Sequence, residues 1–256
     1  MGCVSVVTEQ LRLIDDEQPH AWHSEGRPVS IRESRRAKRL VLQMIPPYTL
    51  ELVVPSGTRP RDVELFLIEN KDWIARAQSE LQTRYPASRL ALPDFIEFPS
   101  IGRRWEVNYI VGSGLRSYLK HSYECLQITT PDSREDRIRS LLRKWLLKQG
   151  RRYLKSWLLE EAEIVGVKPN KIQVRTQRTR WGSCSPRGNI SLNASVLFLD
   201  RALVRYLLIH ELCHLQHLDH SARYWNAVQA FEPDYRLLDQ QLTESWCEVP
   251  VWALSR

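Results

Sequence analysis

No apolar run in this 256-residue chain reaches the ~18 residues a membrane span needs. A membrane-spanning helix is therefore not expected. Methionine occurs only twice, as Met1 and Met44. Cysteine occurs five times (Cys3, Cys125, Cys184, Cys213, Cys247), widely spaced and with no CxxC pair. That excludes a disulfide framework as the organising principle and fits a reducing cytoplasm. The opening "MGCVSVVTEQ" lacks the basic and long apolar regions of a signal peptide. Gly2 and Cys3 hint at acylation, but Val6 stands where a myristoylation site needs Ser or Thr. Internal repeats and low-complexity tracts are absent too.

What the chain has in excess is positive charge, with a formal net of +7. This favours acidic partners, nucleic acid or nucleotides among them. The runs "RESRRAKR" and "KQGRR" carry much of it. Aromatic residues do not interleave with either run, so a base-stacking platform is not evident, and a solvated basic face explains them equally well.

Organisation follows from periodicity. Residues 1–28 show none and read as a poorly ordered leader. "VSIRESRRAKRLVLQMI" and "YTLELVVP" read as two strands joined by a turn at Pro46 and Pro47. Val63, Phe66, Leu67, Trp73, Ile74 and Ala77 have helical spacing, with Pro60 just ahead. Short strands return over 84–130. Pro131 and Asp132 open a long amphipathic helix with Gly150 as a possible kink and Gly166 near its end. "KIQVRTQ" and "GNISLNASV" read as strands, 200–217 as a helix, and two shorter helices follow Ser221 and Pro233. The expected division is a leader over 1–28, a β-rich part over 29–130 and a mostly helical part over 131–256.

Four of the seven histidines fall in "HELCHLQHLDH", residues 210–220. His210 and His214 are four apart, hence on one helical face ~6 Å apart in rise. Two imidazoles so placed can share one Zn²⁺, and Glu211 between them can act as general base on an activated water. The preceding stretch is apolar, and a buried helix has little reason to carry such residues unless they are coordinated. The third ligand is open to choice. His217 shares the face but lies ~7.5 Å of rise from a metal midway between the pair. His220 can reach only if the helix ends near Leu218–Asp219 and the chain turns back, with Ser221 capping the next helix. The choice is His210, His214 and His220, with His217 exposed or supporting a ligand from outside, and a carboxylate from Glu232, Asp234 or Glu244 as the competing third ligand. A metzincin pattern is excluded, because His217 replaces its turn glycine and no methionine follows the site.

"RTRWGSCSPRGNISLN" followed by "YLLIHELCHLQHLDHSARYW" resembles the YgjP-like (WLM-type) metallopeptidase family. "RRAKRLVL", "WIARAQSEL" and "RKWLLKQGRRYL" extend the likeness over residues 29 to 230 or so. The resemblance implies an α+β fold: a β-rich N-terminal part, then a compact zincin-like domain with an HExxH helix and a small sheet. It also implies kinship with gluzincins and SprT-like proteases, zinc as cofactor, His210, His214 and His220 as ligands, and Glu211 as base. Within the first signature, Arg180 is the candidate to hold a substrate carboxylate or stabilise an oxyanion. Trp181 is expected to pack against the histidine helix, Gly182 to make the turn, and Asn193 to bond the site or fix a strand edge. Cys184 and Cys213 read as small buried residues. His20, His23 and His121 are unconnected to the cluster.

The expected function is zinc-dependent hydrolysis of a peptide or protein substrate. Two other classes remain open. A metal-dependent nucleoside triphosphate phosphohydrolase would suit the basic charge. A nucleic-acid-associated module with structural zinc would need a closed, four-ligand site.

Overall fold

Alternation in "TLELVVP" puts Leu50, Leu52 and Val54 on one side of a strand, and all three are buried. They seed the first of two compact units, Met1–Ser88 and Arg89–Arg256. The computed structural model describes residues 22–24, 27–45, 49–84, 91–177 and 180–254. The first unit carries β1 (Trp22–Ser24), β2 (Arg27–Ser34), β3 (Val41–Ile45) and β4 (Thr49–Pro55) in the order β1-β2-β4-β3. β2 and β4 are parallel, and the other pairs antiparallel. Val63, Leu67 and Ile74 close this core from α1 (Pro60–Glu69) and α2 (Lys71–Arg84).

Two local expectations change here. The basic run 35–40 turns the chain, so the first expected strand is two, β2 and β3. The single expected helix is also two, because Asn70 stops α1 by donating its Nδ2–H to the Phe66 carbonyl at 2.8 Å. The turn at Pro46 and Pro47 and residues 1–21 of the expected leader lie outside the described residues. Among the described residues, strand pairing begins at Trp22, within that leader.

The second unit opens with β5 (Phe95–Phe98), β6 (Arg103–Val111), β7 (Tyr118–His121) and β8 (Cys125–Thr130), ordered β5-β6-β8-β7. One face rests on α3 (Glu135–Val165), where Phe98, Trp105 and Trp145 pack ring on ring. The boundary expected at Pro131 thus lies between a sheet and a helix that share one core. α3 runs unbroken through Gly150. A Cβ there would stand 2.8 Å from Ala194 Cβ and 3.0 Å from Val174 Cγ1, so the glycine marks close packing. Gly166, at φ +76°, ends the helix in the left-handed region, as the sequence suggested.

Behind α3 lies a three-stranded sheet, β10-β11-β9, from β9 (Lys171–Arg175), β10 (Gly182–Cys184) and β11 (Asn189–Asn193). A 3-10 turn, Ala194–Phe198, leads into α4 (Arg201–Cys213). Leu203, Val204, Leu207, Leu208, Ile209 and Leu212 are buried on α4. Full burial of each such side chain is worth ~1.5–3 kcal/mol, so α4 is the fixed centre of this unit. α5 (Ala222–Phe231), α6 (Tyr235–Glu244) and α7 (Val251–Leu254) complete it. The observed architecture is α+β. Among the described residues, no helix is long and apolar enough to cross a membrane.

Candidate metal centre

α4 ends at Cys213, about four residues earlier than its periodicity implies. His214 follows in αR conformation and so keeps its place one turn below His210. The chain then turns through 214–216 and doubles back into α5. Ser221 occupies the N-cap position, but its side chain makes no capping bond; Asp219 Oδ1 accepts from the Ser221 amide instead. This early stop brings His220 back to the cluster. Its Nε2 lies 3.5 Å from Nε2 of His210. Nitrogen atoms of His210, His214 and His220 all fall within 4.8 Å of one another.

The donor set fits a zinc ion. Two nitrogens bound at 2.0–2.1 Å to a tetrahedral ion lie roughly 3.4 Å apart, close to the His210–His220 separation. The His214 ring has its outer nitrogen fixed: Nδ1 lies 3.0 Å from the His217 carbonyl, which can only accept. Nδ1 therefore carries the proton, and Nε2 presents a lone pair. His217 contributes its backbone to the site. Burial, with the neighbouring His214 and His220, pushes the His210 pKa down from 6.5 to about 3. A neutral imidazole, the form a metal needs, is thus held well below neutral pH.

Tyr224 on α5 lies under the cluster. Its ring stacks on His214 with centroids 4.4 Å apart, and its hydroxyl donates to the His210 carbonyl at 3.1 Å. That carbonyl is in the last turn of α4, so the tyrosine ties α5 to the end of the histidine helix. Tyr206, one turn before His210, has its hydroxyl 3.4 Å from His210 Nδ1 and donates to Asp239 Oδ1 at 2.7 Å. Sequence reasoning missed Tyr206, Tyr224 and Asp239. The i, i+4 spacing of Tyr206 and His210 was visible, but Asp239 arrives from α6.

Glu211 is buried, and its Oε2 has no hydrogen-bond partner. Burial raises its pKa from 4.5 to about 8, with the nearby positive charge of Arg180 opposing the rise. The carboxylate lies against β10. A Cβ on Gly182 would collide with Glu211 Oε1 and stand 2.8 Å from Cδ. Gly182 therefore makes room for Glu211, where a turn was expected.

Arg180 is exposed, near enough to act on Glu211 electrostatically. Asn193 fixes its backbone, donating to the carbonyls of Gln177 (2.8 Å) and Arg180 (3.1 Å) and accepting from the Ser195 amide. Arg178 lies outside the described residues. Trp181 packs on Trp246, with centroids 3.9 Å apart, and donates to the Leu242 carbonyl, so its main partner is the C-terminal segment rather than the histidine helix.

The competing carboxylates are engaged elsewhere or exposed. Glu232 pairs with Arg205, which also reaches Glu161 at 3.4 Å. Glu244 accepts from Gln240, and Asp234 is an exposed residue preceding α6. Cys213 is buried and Cys184 half-buried, and burial raises both thiols to about 11. Cys125, Cys184 and Cys213 are free thiols. His121 packs between Trp105 and Trp145, and His20 and the His23 side chain lie outside the described residues.

The model of the YgjP-like metallopeptidase domain matches residues 38–245. No curated protein matches the chain. Two solved structures are similar over 36% of it. The metallopeptidase zymogen abylysin of Pyrococcus abyssi has 26% identity over 93% of its own length, with a TM-score of 0.33. The metallopeptidase zymogen jannalysin of Methanocaldococcus jannaschii has 17% identity over 94% of its length, with a TM-score of 0.32.

Proposed function

Because this chain belongs to the YgjP-like metallopeptidase family, we propose that it is a zinc peptidase in which His210, His214 and His220 hold the ion and Glu211 is the general base. The observation that supports this best is one arrangement. Three imidazole nitrogens converge, and the next residue along α4 is a buried carboxylate with an unpartnered oxygen. A zinc ion bound there would polarise a scissile carbonyl and acidify a water molecule.

The remaining chemistry belongs to the chain. Glu211 takes a proton from the attacking water and passes it to the leaving amine. β10 holds the carboxylate in place at Gly182. The exposure of Arg180 and the reach of its charge to Glu211 support a role for it in holding a carboxylate or carbonyl oxygen of the substrate. His220 is the exposed ligand, so substrate approaches from its side. All these residues fall within 131–256, the part expected to be catalytic. A structural site would be closed by a fourth protein ligand, whereas the described cluster has three histidines. The cytoplasm suits the free thiols.

The test is a product screen. Zinc-loaded protein and its Glu211→Gln variant are incubated with mixed peptides and mixed nucleoside triphosphates. New peptide termini are expected from the wild type, with turnover reduced by ~10²–10⁴-fold in the variant, as for removal of a general base. Zinc content should match. Triphosphate cleavage without peptide cleavage would overturn the peptidase reading. Equal turnover in the two proteins would remove Glu211 as base.

A further inference from the structure

Each metal-facing imidazole nitrogen can act as a ligand only if the other ring nitrogen carries the proton. For His214 the His217 carbonyl arranges this. For His210 the task falls to side chains. The Tyr206 hydroxyl has one proton, and at 2.7 Å it is donated to Asp239 Oδ1. Toward His210 Nδ1, 3.4 Å away, the same oxygen can then only accept. The contact is favourable in one tautomer alone, with the proton on Nδ1 and the lone pair on Nε2. Nε2 is the atom that faces His220 Nε2. The hydrogen bond and the cluster geometry thus select the same tautomer.

We propose that Tyr206 and Asp239 form a positioning pair for His210, acting through its Nδ1 to fix the ring's tautomer and raise its basicity toward the metal. The inference rests on the reading of His210 as a zinc ligand. Its parts come from separate elements: Tyr206 is fully buried on α4, and Asp239 is on α6. A tyrosine in a helix core usually finds some partner for its hydroxyl. Here that partner is a carboxylate whose negative charge passes through the hydroxyl to the imidazole. Carboxylate-backed histidine ligands bind metal more tightly, and losing such a partner typically weakens affinity 10–100-fold.

The experiment measures zinc affinity by competition with a chromophoric chelator, and metal-free melting by calorimetry. The proteins are wild type, Tyr206→Phe, Asp239→Ala, Asp239→Asn, the double variant Tyr206→Phe/Asp239→Ala, and His210→Ala. Tyr206→Phe should weaken zinc binding ~10–100-fold. Asp239→Asn, which keeps an acceptor for the tyrosine proton but loses the charge, should fall between wild type and Asp239→Ala. The double variant should bind zinc about as well as either single variant, because the two residues act as one unit. A cobalt-substituted Tyr206→Phe protein should show shifted visible absorption bands, which a stability defect alone would not produce. Unchanged affinity and unchanged cobalt bands in Tyr206→Phe, with zinc lost in His210→Ala, would overturn the positioning pair and leave the metal site standing. Additive losses would overturn it as well. Zinc retained in His210→Ala would overturn the ligand reading beneath it.

Discussion

Glu211 shows how one residue can be costly to the fold and useful to the chemistry. In the metal-free protein its carboxyl holds a proton up to about pH 8, against an ordinary value of 4.5. An unfolded chain releases that proton near the ordinary value. As pH rises from 4.5 through 8, the unfolded state gains relative to the folded one, and stability falls. Glutamine does not titrate. Metal-free Glu211→Gln should therefore be more stable than metal-free wild type at pH 8, by ~1–3 kcal/mol, the scale of a buried unsatisfied polar group. The gap should close below pH 4.5. His210, held down at about 3, has the opposite slope, with stability lost as pH falls below 6.5. It is present in both proteins and cancels in the difference. Parallel urea titrations across pH measure this, and a gap independent of pH would refute it. Gly182 is the companion case. In Gly182→Ala the new methyl group displaces the Glu211 carboxylate, so turnover should drop at least tenfold while zinc stays bound. Stability should fall by the ~1–3 kcal/mol of an overpacked contact. Wild-type turnover in this variant would show that β10 does not position the base.

Among elements, the histidine stretch shows what a sequence can and cannot say. His210, Glu211 and His214 were legible because helical period alone puts them together. His220 was legible only through axial reach, which excluded His217 and required a turn. The turn comes at Cys213–Gln216, earlier than the apolar pattern implied, since periodicity gives a helix's face better than its end. The role of His217 was half legible, because a backbone carbonyl has no signature in residue identity. The α4–α6 pairing of Tyr206 with Asp239 was invisible for a related reason: contacts between elements leave no spacing to read. The prediction at this scale separates side chain from backbone. His220→Ala should lose most bound zinc, whereas His217→Ala keeps it, because the alanine carbonyl still accepts from His214 Nδ1. Metal content of the two purified variants decides it. Zinc retained in His220→Ala would return Glu232, Asp234 or Glu244 to consideration, and zinc lost in His217→Ala would give that imidazole a part the structure does not assign it.

For the whole molecule, the question is how much chain the site needs. Every residue assigned a role lies between Arg180 and Asp239, and each contact that orients one comes from Arg89–Arg256. The C-terminal segment belongs to that support, although its sequence lies beyond the family resemblance. Trp246 stacks on Trp181, beside Arg180 and Gly182. Val251, Trp252 and Leu254 are buried, with Trp252 set edge-on to Phe198 just before α4. Removing a buried tryptophan costs ~3–5 kcal/mol, so this short segment is integral to the core. The family model, by contrast, takes in most of the first unit, from residue 38, and among the described residues none assigned a role in the site belongs to that unit. Residues 89–256 expressed alone should therefore fold and bind zinc within about threefold of the full chain's affinity, a difference of under ~0.7 kcal/mol. The same fragment ending at residue 248 should not fold, because the pocket for Trp252 would be left open beside α3 and Phe198. Chelator competition on the first fragment and circular dichroism of the second measure the two outcomes. A folded 89–256 fragment with zinc affinity weakened a hundredfold would mean that the first unit shapes the metal site. A folded, zinc-binding 89–248 fragment would mean that α4 holds its histidines in place without the tail.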